Sequence, residues 1–199
     1  MNKKQIQSEQ TRKRIADAAR NLFVQKGYKA SSIEDITAAT GSSKGNIYYH
    51  FKSKEGLFMY LLDEWDLDWY AKWREKEHLF QTAADKMYGF AELLVTEDLN
   101  HPLTQAADEF FGGEIESDVR EKLAEMTAGH MRFNRDLIQA GIDSGEFKRG
   151  DADRLALVLE SLVIGLSRVS RRPGAEDALS TYRLAVDVLL YGLAKEPED

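Results

Sequence analysis

Apolar residues recur along this chain at spacings of three and four, with little alternation, so the pattern predicts helices throughout. Ile15, Ala18, Ala19, Leu22 and Phe23 share one face of a first helix that starts at Thr11. Gly27 reads as the left-handed residue that ends it. Residues 1–10 are polar, mixed in charge and without period; they read as a mobile, solvated arm, although Lys3 and Lys4 can touch phosphate. Ser32 with Asp35 three residues on resembles a capping box, so a second helix begins near Ile33. It buries Ile33 and Ile36, leaves room at Ala38 and Ala39 for another helix, and stops at Gly41. Ser43 caps a third helix by accepting from the Asn46 amide. There Ile47 and Phe51 face inward, leaving Lys44, Asn46, Tyr48, Tyr49 and His50 outward. Two short helices around a tight glycine turn form a helix-turn-helix over about residues 32–51.

Ser53 caps the next helix, with Lys54 in its first turn. Leu57, Phe58, Leu61 and Leu62 continue an apolar face, and Trp65, Trp69 and Trp73 then recur at every fourth residue. Asp63, Glu64, Asp66 and Asp68 are interleaved with them. Tryptophans at helical spacing suit core or dimer packing; beside carboxylates they equally suit a hydrophobic cation. A helix over 83–96 carries Met87, Phe90 and Leu94, and Thr96 to Pro102 reads as a connection. Leu103, Ala106, Ala107, Phe110 and Phe111 form the next helix, ended by Gly112 and Gly113. A long helix follows from about Ile115 to Ala140, with Leu123, Phe133 and Leu137 among its apolar positions. After a turn-rich connection Asp151 caps a helix over 152–171, and a last one covers 175–194. Leu155, Val158, Leu159, Leu162, Val163, Leu166 and Val169 form one broad stripe; Leu184, Val188, Leu189, Tyr191 and Leu193 continue another. These two helices either complete a monomer core or pair with a second copy.

Charge changes the picture. The 199 residues carry a net −7, which by itself argues against nucleic acid. Residues 1–56, however, hold 11 Lys/Arg and 5 Asp/Glu, a net of +6, so the remainder carries −13. A basic head on an acidic body is an electrostatic footprint for nucleic acid. With no cysteine, disulfides and thiolate chemistry are excluded, which suits a reducing cytoplasm. The N-terminus lacks the apolar segment of a signal peptide, and no apolar run approaches the roughly 20 residues of a membrane span. Catalytic constellations are missing too. His50, His78, His101 and His130 have no metal-ligand or triad spacing, and GSSKG lacks the second glycine of a phosphate loop.

The run IEDITAATGSSKGNIYYHFKSKEGLF, with the helix before it, resembles the DNA-binding domain of the tetracycline-repressor (TetR) family over about residues 9–69. The resemblance implies an all-α homodimeric regulator of about nine helices. An N-terminal three-helix DNA-binding domain (9–69) would precede a ligand-binding and dimerisation domain (70–199). It favours pairing of 152–171 and 175–194 into a four-helix bundle between two copies, placing two recognition helices on a pseudo-palindromic operator.

On the reading helix, Lys44 can reach guanine O6/N7 or phosphate, Gly45 admits the backbone close to DNA, and Asn46 can read adenine. Tyr48 and Tyr49 can bond phosphate or press on a thymine methyl. His50, Lys54, Ser32 and Ser43 are expected phosphate contacts.

From Trp65 through Trp73 to Pro102-Leu103 the chain also looks like the family's multidrug-binding, quaternary-ammonium-responsive branch. That likeness implies acidic ligand contacts at Asp66 and Asp98 and a shared Trp69–Trp73 pair; Trp65, Phe110 and Phe133 complete the candidate ligand set. The branch's tyrosine-rich connection is replaced here by Asp98-Leu99-Asn100-His101, so an acyl or aromatic ligand stays open beside a lipophilic cation. The expectation is a cytoplasmic repressor, not an enzyme and without a cofactor, released from operator DNA by a small molecule. The rival from another class is a helical module whose basic head binds an acidic protein.

Overall fold

Side-chain caps set where the helices begin. The computed structural model describes residues 2–113, 117–171 and 177–192, and these hold nine α-helices and no strand. They are α1 (Lys3–Lys26), α2 (Ile33–Thr40), α3 (Lys44–Phe51), α4 (Lys54–Lys76), α5 (Ala83–Leu93), α6 (Thr104–Phe111), α7 (Ser117–Asp143), α8 (Ala152–Ser170) and α9 (Ala178–Tyr191). Ser32, Ser43, Ser53 and Asp151 cap α2, α3, α4 and α8 as expected. Asn2 does the same for α1. Its side chain accepts from the Gln5 amide at 2.9 Å, and the Gln5 side chain accepts from the Asn2 N–H at 2.8 Å. This box corrects the expected mobile arm: it supplies a helix start well ahead of Thr11, and nothing in KKQIQSEQ breaks the helix.

Other departures are local. Gly27 has φ +81° but ψ 170°, an extended region nearly exclusive to glycine and not the left-handed one. Gly41, at φ +66° and ψ 9°, does adopt the left-handed form, and its N–H closes α2 on the Thr37 carbonyl. Ala38 and Ala39 are exposed, so α2 uses only its Ile33 and Ile36 side for packing. The stretch expected to connect α5 and α6 instead continues as a π-helical turn over Leu94–Leu99. The expected starts at Ile115 and residue 175, and the end at 194 with Leu193, lie outside the described residues.

The chain divides into two compact units: residues 1–68 with 101–125, and residues 69–100 with 126–199. In the first, Ile15, Ala19 and Phe23 of α1 are buried, as are Ile36 of α2, Ile47 of α3, and Leu57, Phe58 and Leu61 of α4. Phe23 and Phe58 meet edge-to-face with ring centres 5.1 Å apart, and Phe58 also meets Tyr28 at 4.9 Å. Burying one such phenylalanine stabilises by about 1.5–3 kcal/mol, so these rings anchor α4 to the head. Phe110 of α6 joins them, 5.0 Å from Tyr28 and 5.1 Å from Phe58.

The second unit is built on Trp69, Trp73, Met87, Phe90, Leu137 and Leu159 with their neighbours. Within the broad stripe of α8, Leu159 is buried but Val158 and Val169 are exposed; outside it, Ala152 and Ala156 are buried and Leu157 and Ile164 are exposed. Leu184 and Tyr191 of α9 are exposed as well, at 60% and 72%.

Candidate nucleic-acid interface and aromatic cluster

The face of α3 follows from its two buried anchors. Ile47 and Phe51 fix its rotation against the head, which turns Lys44, Gly45, Tyr48 and Tyr49 outward and leaves Asn46 and His50 half-buried. Tyr49 is 79% exposed, and its ring meets His50 edge-to-face at 5.1 Å.

The capping serines are less available than the sequence suggests. The Ser32 hydroxyl accepts from the Asp35 amide and donates to its carboxylate at 2.7 Å. Those bonds, with the Lys26 ammonium at 3.0 Å, hold the Asp35 carboxyl down at about 2. The Ser32 proton is therefore already committed. Ser43 accepts from the Asn46 amide at 3.2 Å. Lys54 is turned inward, its ammonium 4.1 Å from the centre of the Tyr28 ring, and burial lowers its proton affinity.

Three polar residues outside the sequence-based set hold the head in shape. Arg14 of α1 donates to the Thr40 carbonyl at 3.1 Å and to the Ser42 hydroxyl at 3.2 Å, spanning the turn between α2 and α3. Glu34 of α2 pairs with Lys44 at the start of α3. Glu109 of α6 accepts from the Lys29 amide at 2.9 Å and lies against Gly27. The Arg14 and Glu34 positions show in sequence only as charges off an apolar face, with nothing in the periodicity to pair them.

The expected ligand residues fall into groups. In the second unit the indoles of Trp69 and Trp73 lie parallel, 3° apart in plane with centres 6.2 Å apart. Phe133 sets its edge on both, at 5.4 and 5.3 Å, and Phe90 does so at 5.8 and 6.4 Å. The box is closed: Trp69 and Trp73 are 8% and 5% exposed. The Trp69 indole N–H is buried and meets no acceptor. Asp98 lies on the π-helical turn, where its charge acts on Tyr182; burial first, then that carboxylate, pushes the phenol up to about 12. The other three expected residues belong to the first unit. Trp65 stacks on His101 at 3.8 Å, Asp66 is half-buried on α4, and Phe110 packs with Tyr28 and Phe58. Also in the second unit, a shallow apolar groove runs between α5, α8 and α9. Leu94, Leu159, Val163, Val186 and Leu189 line it.

A helix-turn-helix head followed by a separate helical unit with an aromatic interior defines a class: a DNA-binding transcriptional regulator. The sequence signature described as "Bacterial regulatory proteins, tetR family" matches residues 15–61, and that described as "QacR-like protein, C-terminal region" matches residues 66–195. The chain belongs to the TetR family of transcriptional regulators. It is similar to the HTH-type transcriptional regulator QacR of Staphylococcus aureus, 26% identical over 183 residues that span 92% of this chain and 97% of that protein. The fold is shared with FadR of Bacillus subtilis, solved in complex with stearoyl-CoA, at TM-score 0.77 and 21% identity over 91% of this chain and 98% of that one. It is also shared with a protein of Saccharomonospora viridis solved in complex with choline, at TM-score 0.71 and 24% identity over 90% and 94% of the two chains. Among the described residues no helix is long and apolar enough to cross a membrane.

Proposed function

We propose that this protein is a cytoplasmic repressor that binds a pseudo-palindromic operator as a homodimer and is released by a lipophilic cation. The DNA half of that reading rests on the outward face of α3, where Lys44, Tyr48 and Tyr49 stand exposed on a helix anchored by Ile47 and Phe51. The exposed apolar residues of α8 and α9 support dimerisation through those helices. The ligand half rests on the Trp69–Trp73–Phe133–Phe90 box. Stacked indoles present electron-rich faces, and a desolvated cation over such a face gains about 2 kcal/mol. A ligand that also carries an acceptor would satisfy the Trp69 N–H. QacR likeness over most of the chain agrees with this site, and choline, bound by a protein of the same fold, is itself a quaternary ammonium compound.

The groove between α5, α8 and α9 favours a second reading, an acyl ligand, because its lining is apolar and FadR of the same fold was solved with stearoyl-CoA. One experiment separates the two: tryptophan fluorescence against a panel of lipophilic cations and long-chain acyl-CoAs, followed by displacement from operator DNA. Quenching and displacement by cations alone support the first reading. The same response to acyl-CoA alone supports the second.

A further inference from the structure

The pairing of Glu34 with Lys44 sits on the face that α3 offers to DNA. Residues 31–54 contain two acids and three lysines. Asp35 is engaged with Ser32 and Lys26, and Lys54 is turned over the Tyr28 ring. Glu34 remains, reaching from the first turn of α2 across the glycine turn to the lysine that opens α3. Both side chains are open to water, at 64% for Glu34 and 55% for Lys44. The pair holds the Glu34 carboxyl below its usual range and the Lys44 ammonium above its own. An ammonium has three N–H donors, so a lysine tethered to one carboxylate still has donors for a guanine edge.

A lysine on a four-carbon stem is otherwise a general phosphate binder, and phosphate contacts supply essentially all non-specific affinity. Glu34 works against that in two ways. It anchors the Lys44 ammonium beside the turn, and it sets a negative charge where phosphates must approach. We propose that Glu34 is a specificity-determining residue, a positioning group that keeps Lys44 aimed at base edges and withholds it from phosphate. The proposal rests on the reading of α3 as the helix that meets DNA. The pair persists in the specific complex, so its benefit appears as discrimination and not as tighter binding everywhere.

The test compares two duplexes, one selected from random sequence by the wild-type protein and one scrambled from it, across a salt series. Glu34→Gln is expected to raise affinity for the scrambled duplex about two- to fivefold, the range of an exposed ion pair. The log–log salt slope on that duplex should steepen by about 0.9, one added phosphate contact, while affinity for the selected duplex stays level or falls. In a Lys44→Gln background the steepening should vanish, since no lysine is left to be freed. The inference is overturned by equal gains on both duplexes or by no change on either. Loss on the selected duplex with the scrambled one unaffected also overturns it, because Glu34 would then be reading a base itself. If the wild-type protein selects no duplex at all, it is the assignment of α3 that fails.

Discussion

Arg14 offers a sharp test of how the head is held. Its guanidinium gives one hydrogen bond to the last carbonyl of α2, at Thr40, and one to the hydroxyl of Ser42, a residue only 4% exposed. Shielded hydrogen bonds to a charged group net about 1.5–3 kcal/mol, and Arg14 is itself exposed, so we take about 1–2 kcal/mol for Arg14→Ala. In a chain of this length that lowers Tm by roughly 2–8 °C. If the same free energy is needed to reorder the turn on DNA, operator affinity drops about 5- to 30-fold. Arg14→Lys keeps the charge without the fork that spans both acceptors and should recover only part of the loss. Thermal unfolding and operator titration across a salt series measure the two effects. A turn clamp leaves the salt slope unchanged. Should Arg14→Ala flatten the slope by about 0.9 with Tm untouched, Arg14 is a phosphate contact and the clamp is wrong.

Three further outcomes follow from the same geometry. Trp69→Leu keeps the box apolar but removes an indole face, so displacement from operator by a lipophilic cation should need roughly 2- to 30-fold more ligand. Operator affinity without ligand should hold; equal loss of both would make the stacked indoles structural only. Gly27→Ala adds a methyl whose carbon would lie 2.4 Å from a Glu109 carboxylate oxygen, at φ +81°. It should cost at least about 1 kcal/mol, and Glu109→Ala should relieve the clash but not the backbone strain, as paired melting curves would show. Asp35 titrates at about 2 in the fold against an ordinary 3.8, so its contribution is present above about pH 4 and is lost as pH falls toward 2. Asp35→Asn should flatten Tm against pH across that interval, and an unchanged profile would rule out this carboxylate as the source.

The head was legible because its determinants are local. Ser32 and Asp35, Ser43 and Asn46, and Gly41 lie within a few residues of one another, and capping chemistry reads at that range. The same chemistry was present at Asn2 and Gln5, but a polar stretch without an apolar face hides a helix from periodicity. Longer contacts left no such mark. Phe110 sits on an apolar helix face in sequence, and only the fold shows that this face meets Tyr28 and Phe58. On α8, spacing put Val158 and Val169 in one stripe with Leu159 but could not say that Leu159 faces the core while those two valines face water. The Arg14, Glu34 and Glu109 partnerships escaped for a related reason: a long charged side chain has too many possible partners for spacing to choose one.

The aromatic box has a consequence for how sensitive such a regulator can be. Its indoles are stacked with Phe90 and Phe133 set against them, so the cation proposed above would enter only the fraction of molecules in which those rings have parted. Apparent affinity is then intrinsic affinity multiplied by that fraction; a box open about 1% of the time costs roughly 100-fold in dissociation constant. Substitutions that loosen the stack without removing its π faces should therefore lower the threshold for induction. The packing of these rings would set the concentration at which the cell notices its ligand.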